Sequence, residues 1–162
     1  MNALPPLAEL KIGRPRDARD VPWDLLLDAD PDRALVESYL DFAWTRVMWH
    51  EGVALGVYVL KPRDETRFEL MNIAVDPRYR RLGIGRWLLG HAIGLAESKG
   101  GRTIDVGTGN SSFDALAFYQ RAGFRIIGVV PNYFTETYRE PIVEDGIPCR
   151  DRVLLRLILE PE

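Results

Sequence analysis

The stretch Glu69 to Leu95 reads ELMNIAVDPRYRRLGIGRWLLGHAIGL. It predicts a strand, a basic glycine loop and a helix in direct succession. Leu70-Met71-Asn72-Ile73-Ala74-Val75 is a short, mostly apolar run of the length of a buried strand. Asp76-Pro77 ends it, since proline donates nothing to a ladder and this dipeptide favours a turn. Arg80 to Arg86 then runs straight into a helical pattern. Ile84, Leu88, Ala92 and Ala96 recur at a spacing of four and form one apolar stripe.

The physical chemistry of that unit points to a phosphate. A helix start carries unpaired N–H groups and about half a positive charge. Gly83 and Gly85 remove the Cβ atoms that keep a ligand off the backbone. Arg80, Arg81 and Arg86 add positive charge at the same point, so the loop suits a pyrophosphate. The plainer alternative is a solvated basic turn. Two familiar phosphate loops fit badly. A dinucleotide fingerprint requires a glycine where Leu88 stands. A P-loop requires Gly-Lys-Ser/Thr, which does not follow here.

Composition narrows the classes. A chain of 162 residues suits one domain, 1–162, with a good core. A net charge of −3 implies no general attraction to nucleic acid. No apolar run reaches the length of a membrane span. Met1 to Leu10 lacks the basic start and apolar core of a signal peptide. The single cysteine, Cys149, forms no internal disulfide, so a cytoplasmic protein is expected. His50 and His91 stand far apart with no cysteine cluster beside them, and no metal site is expected.

Outward from the central stretch, Leu7 to Ile12 reads as a first strand. Asp20 offers an N-cap with Pro22 early in a short helix through Leu25–Leu27, and Asp30-Pro31 opens another through Tyr39 and Leu40. Phe42–Trp49 and Val53–Leu60 read as strands joined by a hairpin at His50-Glu51-Gly52, and Arg67–Val75 as the third of a meander. Gly100-Gly101 ends the central helix. Arg102–Val106 is a strand, and Gly107 to Ser112 a loop into a helix with Ser111 or Ser112 as N-cap. Phe124–Val130 is a strand, Pro131–Pro148 an irregular segment, and Arg150–Leu159 a final strand. The fold class is therefore α/β, a mixed and mostly antiparallel sheet with helices on both faces.

A second glycine motif, Asp105-Val106-Gly107-Thr108-Gly109, looks like the cofactor loop of S-adenosylmethionine methyltransferases. That fold needs several further crossovers, and only 53 residues follow Gly109. By contrast, Arg80-x-x-Gly83-x-Gly85 after an apolar strand resembles the acyl-coenzyme A loop of the GCN5-related N-acetyltransferases (GNAT). The run Asn110 to Phe124, NSSFDALAFYQRAGF, resembles that family's second block, with its asparagine, helix, tyrosine and Gly-Phe ending. Residues before Trp44 and after Val130 carry little of the resemblance.

The resemblance implies transfer of an acetyl group from acetyl-coenzyme A to a primary amine of a small molecule or a protein. A non-catalytic acyl-coenzyme A sensor of the same fold is the alternative, and a homodimer is compatible with either. It implies that Ile73 and Val75, with Ala74 between them, present backbone to the pantetheine arm. Arg80, Arg81, Leu82, Gly83, Ile84, Gly85 and Arg86 would hold the pyrophosphate, and Asn110 would bond the pantetheine. Tyr119 matches the family's tyrosine, which can protonate a leaving thiolate. Its other reading is a core aromatic, although Phe118 beside it suits the core better. Glu69 stands where one branch of the family has a base, or is simply a charge at a strand end. A regular strand sets Asn72 on the face of Leu70; a bulge would move it to that of Glu69. Tyr133, Phe134, Glu136, Tyr138, Glu140, Glu144 and Asp145 offer acidic and aromatic groups for a cationic acceptor, or a solvated loop.

Overall fold

The structure, a computed structural model, describes residues 3–160. Met1 and Asn2, which begin the stretch read for a signal peptide, and residues 161–162 lie outside them. Strands β1 (Lys11–Gly13), β2 (Thr45–His50), β3 (Val53–Pro62), β4 (Arg67–Val75), β5 (Thr103–Gly109) and β6 (Arg125–Val130) follow in chain order. A small hairpin of β7 (Val143–Glu144) and β8 (Ile147–Pro148) precedes β9 (Arg152–Ile158). Seven strands form one sheet in the order β1-β2-β3-β4-β5-β9-β6. Among the described residues its one parallel pair is β4 with β5. The helices are α1 (Trp23–Ala29), α2 (Arg33–Tyr39), α3 (Ile84–Ser98), α4 (Phe113–Arg121) and α5 (Tyr133–Thr137).

Each face of the sheet has its own core. Helices α1 and α2 bring Leu26, Val36 and Tyr39 onto Val47, Val57, Val59 and Ala74. On the other face, α3 and α4 bring Leu88, Leu89, Ala92 and Tyr119 onto Met48, Leu60, Leu70, Ile104 and Leu155. The stripe Ile84, Leu88, Ala92 and Ala96 is buried throughout, as its spacing predicts. Close approach of α3 depends on Gly56 in β3. A Cβ there would stand 2.6 Å from Leu88 Cδ1 and 3.2 Å from the Ala74 carbonyl oxygen. Gly56→Ala is therefore expected to overpack this contact at a cost of roughly 1–3 kcal/mol. Thermal unfolding should show a Tm lower by several degrees, and an unchanged Tm would mean that Leu88 repacks freely.

Several sequence-based boundaries move. Leu7–Glu9 is a 3-10 turn and only Lys11–Gly13 is strand. Phe42–Trp44, expected as strand, is a 3-10 turn capped by Asp41. Asp20 pairs with Arg16 rather than capping α1, and Asp32, not Asp30, caps α2. Strand β5 continues through Gly107–Gly109, which were expected as loop. The segment read as irregular contains α5 and the β7–β8 hairpin.

Strand β4 is bulged. Val59 pairs with Asn72 but Leu60 with Leu70, so Met71 is the extra residue. Phe68 and Leu70 point to the α3–α4 core, whereas Ala74 points to the α1–α2 core. Asn72 consequently lies on the α1–α2 side, where it bonds Leu26 and Tyr39, on the face that the alternation gives to Glu69. The bulge decides the phase that a regular strand would have reversed.

Candidate active site

The parallel ladder between β4 and β5 covers only Arg67–Leu70 against Thr103–Val106. Past Leu70, β4 pairs with β3 alone, and past Val106, β5 pairs with β9 alone. The two strands part, and a cleft of about 690 Å³ opens between them. Ile73, Ala74 and Val75 line one side, Gly107 and Thr108 the other. Unpaired backbone at such a splay is open to a ligand that hydrogen-bonds like a strand.

One end of the cleft is the loop before α3. Arg80, Arg81, Gly83, Gly85 and Arg86 line it; Leu82 and Ile84 do not, and Ile84 is buried in the core. Gly83 is the N-cap of this 15-residue helix, at φ +90°, and no acidic residue stands in the first turn. Arg81 is also left-handed, at φ +59°. Beside Gly83 no heavy atom stands within 4 Å of where a Cβ would lie, so the positive end of α3 starts at open space. Arg80 also ties α1 to the end of β4, by an ion pair with Asp28 and a hydrogen bond to the Val75 carbonyl at 3.3 Å. Asp76 caps the turn at Pro77–Tyr79 by accepting from the Arg78 N–H at 2.9 Å. The guanidinium of Arg78 holds that carboxyl below the usual range.

Tyr119 is 7% exposed, packs edge-on against Phe118 at 5.2 Å, and lines the cleft. Its hydroxyl has no hydrogen-bond partner among the described residues, and burial pushes its pKa well above the usual tyrosine range. Phe118, expected as the core residue of the pair, is half-buried and lines the cleft too. Asn72 is also in the lining, and its Oδ1 is buried without a donor, although its Nδ2 donates to Leu26 O at 3.0 Å and Tyr39 Oη at 3.1 Å.

Glu69 and Asn110 are placed differently from the sequence-based expectation. Neither lines the cleft. Glu69 takes Arg63 on one carboxylate oxygen and Arg152 on the other, the latter at 2.9 Å. Both oxygens already accept from guanidinium donors, so the carboxylate is occupied by two arginines rather than aimed at the cleft. Asn110 holds a loop together. Its Oδ1 accepts from the Arg150 and Asp151 N–H groups at 2.7 and 2.9 Å, and its Nδ2 donates to the Pro148 carbonyl at 3.2 Å. Both lone pairs of Oδ1 are thus taken by the loop, and one Nδ2 proton is left for a ligand.

A second cavity, of about 550 Å³, adjoins the first and shares Asp28, Ala29, Met71, Gly107, Thr108, Ser112 and Glu144 with it. Tyr133, Phe134, Tyr138 and Glu144 of the late segment line it; Glu136 and Glu140 do not, and Asp145 lines the first cleft. Tyr39, Arg63 and Arg152 complete its character, and none carried a signal in the sequence. Arg152 reaches Glu69 by crossing β5 directly over Gly107, where an added Cβ would lie 1.9 Å from its Nε. At Gly109 a Cβ would lie 2.4 Å from Cys149 Sγ. The Gly-x-Gly that resembled a methyltransferase loop is thus a pair of strand positions where other side chains pass close to the backbone.

The comparisons agree with this geometry. The model of the acetyltransferase (GNAT) family matches residues 14–124. The chain is 41% identical over 154 residues to an uncharacterised N-acetyltransferase of Bacillus subtilis, covering 94% of this chain and 99% of that one. It is 38% identical over 101 residues to the [ribosomal protein bS18]-alanine N-acetyltransferase of Escherichia coli, covering 62% of this chain and 65% of that one. A GNAT acetyltransferase from Elizabethkingia anophelis, solved with acetyl-CoA bound, superposes with a TM-score of 0.88 at 38% identity, over 93% of this chain and 99% of that one. The splayed strands, the open helix start and these likenesses together make the chain a member of the GNAT acetyltransferase family.

Proposed function

We propose that the protein is an N-acetyltransferase, one domain over 1–162, that moves an acetyl group from acetyl-CoA to a primary amine. Acetyl-CoA is the cosubstrate. The observation that carries the reading is the cleft itself, with a phosphate-ready loop at one end and an unpartnered tyrosine hydroxyl inside. The loop residues from Arg81 to Arg86 hold the pyrophosphate through backbone N–H groups and guanidinium charge. Ile73, Ala74 and Val75 present the free edge of β4 to the pantetheine arm. Tyr119 gives its proton to the departing sulfur. The Asn72 oxygen accepts from an N–H entering the cleft. Asn110 acts at one remove, fixing the chain around Pro148–Asp151.

The test is release of free thiol from acetyl-CoA with and without added amine, with the amide product identified by mass. Thiol should appear at a rate set by the amine. Tight binding without release for any amine would establish the sensor reading instead. Equal release without amine would make the protein a thioesterase.

Glu69 acts through Arg152, which it holds at the second cavity. Glu69→Gln is therefore expected to raise the amine KM several-fold at every pH and leave acetyl-CoA affinity unchanged. A general base behaves otherwise: kcat would fall, most steeply at low pH. Comparing kcat and KM from about pH 6 to pH 9 separates the two.

Cys149, a free buried thiol raised in pKa by burial, suits the reducing cytoplasm where we place the enzyme. Ile126, Ile127 and Val129 stand half-exposed on β6, the terminal strand of the sheet, which supports a homodimer joined there. Sedimentation at micromolar concentration should give twice the monomer mass, and a monomer there would remove the dimer.

A further inference from the structure

We infer that the acceptor is a small zwitterion with an aromatic body, of the chemistry of a free aromatic amino acid, and not the end of a polypeptide. This rests on the acetyltransferase reading and concerns only the second cavity. The cavity carries opposite charges on different elements. Asp30 accepts from the Tyr39 and Tyr138 hydroxyls at 3.0 and 2.8 Å. Glu144 accepts from Ser111 and Ser112 at 3.1 and 2.8 Å. Neither carboxylate forms an ion pair among the described residues. Burial keeps the Tyr39 and Tyr138 hydroxyls protonated, so they solvate Asp30 but cannot neutralise it. A partly desolvated carboxylate without a cation is complementary to an incoming ammonium.

The end of β3, the residue just past it and the start of β9 present the opposite sign. Lys61, Arg63 and Arg152 line the cavity there, and only Glu69 offsets them. Lys61 forms no ion pair among the described residues, and each guanidinium keeps N–H donors beyond those given to Glu69. That wall suits a carboxylate. Between the two signs runs an aromatic row. Arg152 stands 5.0 Å from the Tyr133 ring, Tyr133 5.1 Å from Phe134, and Phe134 stacks at 5.6 Å on Tyr138, which reaches Asp30. An aromatic or apolar body fits along this row.

The row is also fastened at one end. The Tyr138–Asp30 bond joins residues 108 apart in sequence and ties the α5 segment to the turn between α1 and α2. A polypeptide continuing beyond its first residue would have to break that tie or leave by another side. A free small molecule needs neither.

The experiment compares L-phenylalanine, phenethylamine, spermidine and a short peptide beginning with phenylalanine, by kcat/KM for the acetylated product. Phenethylamine keeps the ring and ammonium and lacks the carboxylate. L-Phenylalanine should exceed it at least tenfold, and exceed the peptide and spermidine by more. Lys61→Met should remove most of the preference for L-phenylalanine over phenethylamine, read as the ratio of their two kcat/KM values, and an unchanged ratio overturns the inference. Equal or better use of phenethylamine, spermidine or the peptide by the unaltered enzyme overturns the inference and leaves the acetyltransferase standing. If no amine of the four is acetylated, the inference falls too. Binding of coenzyme A, followed by calorimetry, judges the cofactor reading separately.

Discussion

Tyr119→Phe should lower kcat by roughly a hundredfold, the low end of what general acid catalysis contributes, and leave coenzyme A affinity unchanged. The substitution removes one oxygen and keeps a ring packed against Phe118 and Phe124. Because the hydroxyl has no partner within the described chain, no internal hydrogen bond is lost and Tm should hold within about a degree. A structural tyrosine would show full activity instead, with any effect confined to Tm. The raised pKa has its own signature. Burial disfavours the phenolate, so the acid form persists beyond the ordinary tyrosine pKa of about 10. Proton donation by Tyr119 therefore survives mild alkali, and no alkaline loss of kcat below about pH 10 should vanish in Tyr119→Phe. The same burial would raise the pKa of a thiolate formed beside it, which keeps donor and acceptor matched. An acyl donor with a more acidic thiol should lose less, since its sulfur leaves without help.

Gly83→Asp should weaken coenzyme A binding at least tenfold, about 1.4 kcal/mol. Two effects combine at this residue. An L side chain at φ +90° is strained, which costs about 1–2 kcal/mol of stability. A carboxylate at the start of α3 also places negative charge in the space proposed for the pyrophosphate. Gly83→Asn separates them, having nearly the same shape and no charge. If the phosphate reading is right, the Asn variant binds several-fold better than the Asp variant at matched stability, and added salt narrows the gap. Equal affinities would reduce the loop to a turn that only glycine can make.

The sequence made the local parts of this molecule readable and left the distant meetings hidden. Arg67–Val75 appears with the predicted bounds, and the stripe from Ile84 to Ala96 is buried. Both signals, an apolar run closed by Asp-Pro and a stripe of spacing four, lie within one element. Gly107 and Gly109 misled because a glycine in sequence has the same appearance in a loop as under a crossing side chain. Arg152 and Cys149, which explain them, come from some 40 residues away. Glu69 looked available as a base because nothing nearby in sequence announces two arginines on its carboxylate. Asn110 looked free for the same reason, its partners lying at Pro148, Arg150 and Asp151. The phase of Asn72 turned on a single inserted residue in β4, which alternation alone cannot reveal.

A structure of the protein with coenzyme A bound tests the central claim most directly. The account predicts the pyrophosphate on the backbone N–H groups between Leu82 and Arg86 and the pantetheine arm along Ile73–Val75. It predicts the sulfur within about 3.5 Å of the Tyr119 hydroxyl. A cofactor whose phosphates lie elsewhere, or whose sulfur is remote from Tyr119, would contradict it.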